Sequence, residues 1–143
     1  MSAHSNVIIA FDFGQKRIGC AVGQDMTETA NPLGTAKNLN SGPDWRRIGE
    51  WIEDWQPSIL VVGMPNHPDG SKSTIIDNIE SFIEALSVFD IPIETIDERE
   101  TSIEAKEILK KERQMGIKRK IKKEMIDAQA ATLIAERWLN KNS

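Results

Sequence analysis

Ser58-Ile59-Leu60-Val61-Val62-Gly63 is a continuous apolar run in mid-chain, bounded by Pro57 and by a Pro/Gly-rich loop over residues 64–71. A strand without polar alternation has to be covered on both faces, so this run predicts a sheet layered between helices. The flanking patterns supply the rest of that sheet. Residues 7–13 read as a strongly apolar strand, Gly14-Gln15-Lys16 as a hairpin turn, residues 17–24 as a second strand of small residues, and residues 30–37 as a third. Ser41-Gly42-Pro43-Asp44 reads as a helix start, with Ser41 and Asp44 as the capping pair and Pro43 in the first turn. Trp45, Ile48, Trp51, Ile52 and Trp55 then follow at helical spacing and form a core-facing stripe.

Further helices are expected over residues 73–89, 101–114 and 124–139, with a strand at 92–96 and a mobile segment at 115–123. Thr101-Ser102-Ile103-Glu104 fits a capping box for the second of these helices. An early antiparallel meander followed by crossover units implies a mixed α/β sheet with helices on its faces.

With 143 residues, 39% hydrophobic and 28% charged, the chain suits one globular domain over 1–143, with 1–5 and 141–143 as flexible tails. No apolar run approaches the roughly 20 residues that span a bilayer, so no membrane role is expected. Residues 1–6 carry no basic cluster, and Asp12 ends the following apolar run early, unlike a secretory signal. The single cysteine, Cys20, excludes an intrachain disulfide and fits a reducing, cytoplasmic setting, where it reads as a core residue. His4 and His67 are the only histidines, too few for a structural zinc site, and His67 has no evident partners for a Ser-His-Asp hydrolase.

The net charge of −4 hides an uneven distribution. Residues 106–123 hold nine basic and two acidic side chains, and the remainder of the chain is strongly acidic. Such a stripe is either a solvated helix face or a local attraction for phosphates; charge alone leaves both open.

Three carboxylates stand at element ends. Asp12 closes the most hydrophobic strand, Asp97-Glu98-Arg99 follows the last one, and Asp127 lies in the first turn of the final helix, before small alanines that permit close packing on the sheet. A lone ionised carboxylate is expensive to bury, so Asp12 must be paired, capped or facing a ligand. Taken singly, each has an ordinary explanation: a turn residue for Asp12, an ion pair for Glu98, a helix-dipole partner for Asp127. If the three converge, their repulsion requires cations between them, and oxygen donors without His or Cys select Mg²⁺ or Mn²⁺. Two such ions can activate water and stabilise the leaving oxygen in phosphodiester hydrolysis.

Four linked motifs carry a resemblance. Asp12-Phe13-Gly14-Gln15-Lys16-Arg17-Ile18-Gly19, Val61-Val62-Gly63-Met64-Pro65 with Asp69-Gly70-Ser71, Asp97-Glu98-Arg99-Glu100-Thr101-Ser102, and Ile126-Asp127-Ala128-Gln129-Ala130-Ala131 resemble the YqgF (RuvX) family over residues 6–140. The resemblance implies an RNase H-like fold with a mixed five-stranded sheet and flanking helices. It also implies a metal-dependent nuclease acting in 5′-end maturation of pre-16S rRNA or, alternatively, on Holliday junctions. By motif, Asp12, Glu98 and Asp127 are the catalytic, metal-holding acids, with Mg²⁺ or Mn²⁺ as cofactor. Arg17 and Arg99 are the motif arginines, suited to phosphate contact. Asp69, Gly70 and Ser71 precede a helix N-terminus that can hold a phosphate, and Lys118, Arg119, Lys120, Lys122 and Lys123 lie just before Asp127, where they can clamp a nucleic-acid strand.

The chain departs from the family pattern at Gly23-Gln24-Asp25, where Ser-Asp is usual, at Glu100 in place of Leu, and at Asn66-His67-Pro68. None of these removes a motif acid, and the last two bear on substrate fit. The partners expected are nucleic acid, precursor rRNA ahead of a DNA junction, and a ribosomal particle, with the protein a monomer or weak dimer. A rival from another class is a catalytically silent factor that binds nucleic acid or RNA polymerase through residues 118–123. A junction resolvase needs two active sites and so predicts a stable dimer.

Overall fold

The computed structural model describes residues 6–64, 74–97 and 123–141, with side chains at all of these except 74, 97 and 123–127. The strands are β1 (Val7–Phe13), β2 (Arg17–Gln24), β3 (Thr29–Leu39), β4 (Gly42–Pro43), β5 (Ile59–Met64) and β6 (Ile93–Asp97). The helices are α1 (Trp45–Trp55), α2 (Thr74–Leu86) with a 3₁₀ turn at Ser87–Phe89, and α3 (Lys123–Lys141). The sheet order is β4-β3-β2-β1-β5-β6. Pairs from β4 to β1 are antiparallel, whereas β1–β5 and β5–β6 are parallel. The mixed sheet is therefore the expected one, with six strands where five were expected. The expected helix over 101–114 and the segment 115–122 lie outside the described residues.

The extra strand corrects the reading of residues 41–44. Pro43 does not enter α1; Gly42 and Pro43 pair with Leu39 and Asn38 at the sheet edge. An edge position suits Pro43, whose missing N–H would interrupt an inner ladder. Asp44 is the N-cap instead of Ser41, and its Oδ1 accepts the Arg47 backbone N–H at 3.3 Å. Both residues are good caps, and the sequence spacing does not distinguish them. At its other end α1 stops at Gln56, which turns left-handed (φ 45°) before Pro57.

Alternation along the strands divides the core in two. Ile9 and Phe11 of β1, Ile18 and Cys20 of β2, and Leu60 and Val62 of β5 face α1 and α2, meeting Ile48, Ile52, Ile79, Phe82 and Leu86. Ile8 and Ala10 of β1 and Val61 of β5 face α3, meeting Ile134, Ala135, Trp138 and Leu139. The tryptophan stripe of α1 is only partly core: Ile48 and Ile52 are buried, Trp45 and Trp51 are half-buried, and Trp55 is 36% exposed.

α3 lies close to the sheet because Ala128, Ala130, Ala131 and Ala135 are buried. Its direction is set by its far end. A Cβ at Gly23 would meet Ile8 Cγ1 at 2.9 Å and Leu139 Cδ1 at 3.3 Å, so Leu139 sits over the start of β1 and the end of β2. The Trp138 indole N–H donates to Glu94 Oε1 on β6 at 3.0 Å. α3 therefore runs antiparallel to β1, with its N-terminal half toward the C-terminal ends of the parallel strands.

Candidate active site

Asp12 is the penultimate residue of β1 and is half-buried. Strand alternation puts it on the face of Ile8 and Ala10, beneath α3, while Phe11 and Phe13 pack toward α2. In the antiparallel pair it stands opposite Gly19. The β1–β5 register, which matches Phe11 to Val62, sets it beside Gly63 when carried one residue further. Cross-strand neighbours lie roughly 4.5–5.5 Å apart, so a side chain at either position would crowd the carboxylate. With glycine at both positions, neither adjacent strand sets a side chain beside it. Sequence reading used both only as motif letters, although glycine inside a strand is itself a signal of close approach by a ligand or another chain.

The hairpin after Asp12 is held by Gly14, where an added Cβ would fall 2.5 Å from the Arg17 carbonyl oxygen. Asn38 Nδ2 donates to the Gly14 carbonyl at 2.7 Å and braces the turn from β3. Arg17 opens β2 two residues before Gly19, making it a diagonal neighbour of Asp12 on the same face. Such neighbours are roughly 7–8 Å apart, within reach of a long side chain. Asp12 also acts electrostatically through the sheet. Burial pushes the Cys20 thiol far above its usual range, the nearby Arg47 opposes this, and Asp12 adds to it.

The other strand ends gather at the same edge. Met64 pairs with Asp97, so β5 and β6 finish beside β1, and residue 98 follows directly. From Leu139 back to position 127 α3 rises about 18 Å, while β1 runs about 13 Å from Ile8 to Asp12. Position 127 lies about one turn before the buried Ala130 and Ala131 along α3. Glu98, Arg99, Asp69, Gly70, Ser71, Lys118, Arg119, Lys120 and Lys122 lie outside the described residues, as do the side chains of Lys123 and Asp127. Among the described residues no group of three His, Cys, Asp or Glu side chains forms a metal cluster. Of the donors expected for a hard cation, the described residues include the half-buried Asp12 carboxylate, with glycines opposite and beside it.

Sequence reading missed a second feature beside Arg17. Arg17 pairs with Lys37 across β2–β3. With Lys16, Arg47 and Asp44 they line a cleft of about 500 Å³. Arg47 donates through Nε to the Thr35 carbonyl at 3.0 Å and lies 4.6 Å from the Trp51 ring centroid. These four cations are scattered in sequence and meet only through the strand register. The departure at Gly23-Gln24-Asp25 also has a local explanation: the Asn6 backbone N–H and Nδ2 donate to the Asp25 carboxylate at 2.8 and 3.0 Å. No helix among the described residues is long and apolar enough to cross a membrane.

The family model RuvX, described as Holliday junction resolvase, matches residues 6–141. A protein of Glaesserella parasuis serovar 5 (strain SH0165) named "Putative pre-16S rRNA nuclease" is 41% identical over 141 residues, covering 97% of this chain and 99% of that protein. A protein of the same name from Burkholderia lata is 36% identical over 143 residues, covering 99% and 94%. Among solved structures, T. thermophilus RuvC in complex with a Holliday junction substrate superposes with TM-score 0.55 at 17% identity, covering 96% of this chain and 95% of that one. The fowlpox virus resolvase complexed with Holliday junction DNA gives 0.56 at 12%, covering 95% and 98%. At such identities the structural likeness establishes the fold alone, and it bears out the RNase H-like α/β architecture.

Proposed function

The chain belongs to the RuvX family, and on that premise we propose that it is a divalent-metal-dependent nuclease acting in 5′-end maturation of pre-16S rRNA. The observation that carries the reading is Asp12, a half-buried carboxylate at the end of a central strand, flanked by two glycines and diagonal to Arg17. A carboxylate so placed, at the strand end and only half-buried, presents the oxygen donor that a hard cation takes.

In this reading Asp12, Glu98 and Asp127 hold Mg²⁺ or Mn²⁺, and residues 6–141 act as one nuclease domain. A bound ion of this kind supplies activation of water and stabilisation of the leaving oxygen. The chain's own groups orient the substrate. Arg17 and Arg99 hold the phosphate beside the cleaved bond, and the residues Asp69, Gly70 and Ser71 contact the backbone farther along. The basic run Lys118, Arg119, Lys120, Lys122 and Lys123 closes over the strand by charge. The setting is the cytoplasm, on a ribosomal particle that presents the precursor end.

A second reading, resolution of four-way DNA junctions, is favoured by the description of the family model and by the junction-bound resolvases that share the fold. Cleavage of 5′-extended precursor RNA and of a synthetic four-way junction, side by side with Mg²⁺ or Mn²⁺, separates the two. Preferential cutting of the RNA supports the proposal. Preferential, symmetric cutting of the junction by a dimer would replace it, since two active sites are then required. Binding of either substrate without metal-dependent cleavage would leave a silent nucleic-acid-binding factor.

A further inference from the structure

Beside the tip of the β1–β2 hairpin, between the β3–β4 turn and α2, lies a second cleft of about 460 Å³. Its walls differ from those of the cationic cleft. Three rings, the half-buried Phe13 and Trp45 and the buried Phe82, contribute apolar surface beside Leu39, Pro43 and Ala85. Phe82 holds the other two in place, with Trp45 stacked on it at 5.5 Å and 18° and Phe13 tilted against it at 5.3 Å, and Trp45 also meets Phe89 at 6.1 Å. The polar side chains are four carboxamides, Gln15, Asn38, Asn40 and Asn78, and the Ser81 hydroxyl, and among the described residues none of the lining is charged. Gln15, Asn40 and Asn78 are exposed, while Asn38 is fixed by its bond to the Gly14 carbonyl.

Flat aromatic surface edged by amides that both donate and accept, without charge, matches a planar neutral heterocycle. Phosphate finds no partner there. It finds one next door: Leu39 lines both clefts, and Gln15 and Lys16 are successive residues on the two sides of one turn. Among the described residues the cationic cleft offers Lys16, Arg17, Lys37 and Arg47 against the single acid Asp44. A neutral heterocycle site adjoining a cationic groove, both within a few residues of Asp12, has the chemistry of a nucleotide chain.

We propose that the cleft between Phe13, Trp45 and the four carboxamides takes an unpaired base of single-stranded RNA, while the adjoining cationic cleft holds the phosphates of the same strand. The proposal rests on the RNA nuclease reading above and deepens it: the substrate is single-stranded beside the cleaved bond. An unpaired base can stack on an aromatic ring and present its edge to side-chain amides, which a base inside a duplex cannot do.

The test is binding in EDTA, which keeps cleavage out of the measurement. A fluorescein-labelled RNA hairpin with a short single-stranded 5′ extension is compared with the same RNA made abasic in that extension, and with a hairpin carrying a DNA extension. The wild type is expected to bind the intact RNA about tenfold more tightly than the abasic one, the low end of what stacking on one aromatic contributes. The double variant Asn40→Ala, Asn78→Ala, changed only at exposed positions, narrows that preference to the part that stacking supplies and keeps its affinity for the abasic RNA. The double variant Lys16→Ala, Lys37→Ala weakens both RNAs equally and flattens the salt dependence. Equal affinity of the wild type for intact and abasic RNA overturns the proposal, as does discrimination left undiminished in the amide variant. Base-dependent binding confined to the DNA extension supports the cleft and overturns the RNA reading, so the two fail separately.

Discussion

Asp12 stands directly opposite Gly19 in the β1–β2 pair, and the β1–β5 register brings Gly63 to its other side. A carboxylate near the end of a largely buried strand thus has no neighbouring side chain from either adjacent strand at its own level. Side chains there would compete for the space around the carboxylate, and glycine on both sides avoids that, which suits an acid that binds a cation.

Substituting Gly19 should therefore impair cleavage more than it impairs folding. Gly19→Ala is expected to lower the cleavage rate by about a hundredfold, the scale of a misplacement near 1 Å at a reacting centre. Replacing a strand glycine recovers some backbone entropy and limits the change in stability. Steady cleavage by a folded Gly19→Ala protein would show that glycine opposite Asp12 is not needed for the chemistry. Rate and melting temperature measured on the same preparation decide it.

The bond from Trp138 to Glu94 ties α3 to β6, joining the two elements that lead to positions 127 and 98. Glu94→Ala takes this acceptor from the indole N–H of Trp138, a residue only 7% exposed, which should cost about 1–3 kcal/mol. Glu94→Gln keeps an amide oxygen at that place and should recover most of the loss. Urea unfolding of both variants measures this, and equal destabilisation by the two would contradict it.

Cys20 gives a pH signature. Its thiol is fully buried and its pKa is raised well above 9.0 by desolvation. Below about pH 8 the thiol is largely neutral whether folded or unfolded and hardly alters the balance. Above it the unfolded chain releases a proton that the folded chain retains, so stability falls by up to about 1.4 kcal/mol per pH unit. The sequence has no tyrosine, which leaves lysines as the main alkaline background. Cys20→Ala should remove this component. The difference in unfolding free energy between wild type and variant, followed from pH 8 to 10, should narrow as pH rises. The native thiol should also resist disulfide reagents until the chain unfolds.

Most of the frame was legible because it rests on local periodicity. The apolar runs of β1 and β5, the Gly14 turn and the small-residue face of α3 all announce themselves within a few residues. The start of α1 was misread because Ser41 and Asp44 are equally competent caps, and only pairing of Gly42–Pro43 with β3 decides between them. The site divides in the same way. Asp12 was visible as an acid out of place in an apolar strand, whereas its glycine flanks depend on strand order and register, which no local pattern encodes. The cationic cleft was missed for the same reason: Lys16, Arg17, Lys37 and Arg47 become neighbours only when β2 and β3 pair. The net charge of −4 gave no hint of it, and the basic run at 106–123 drew the reading elsewhere.

The most direct test of the account is the cleavage rate of 5′-extended precursor RNA as Mn²⁺ is added, for wild type and Asp12→Asn. The substitution keeps the shape of the side chain and removes the charge that would hold the ion. The account predicts saturable, Mn²⁺-dependent cleavage by the wild type, none in EDTA, and a loss of at least about a hundredfold in Asp12→Asn, since even residues that only support a ligand are worth 10–100-fold. Circular dichroism should show the variant folded. Cleavage by wild type in EDTA, or by Asp12→Asn at the wild-type rate and metal dependence, would contradict it.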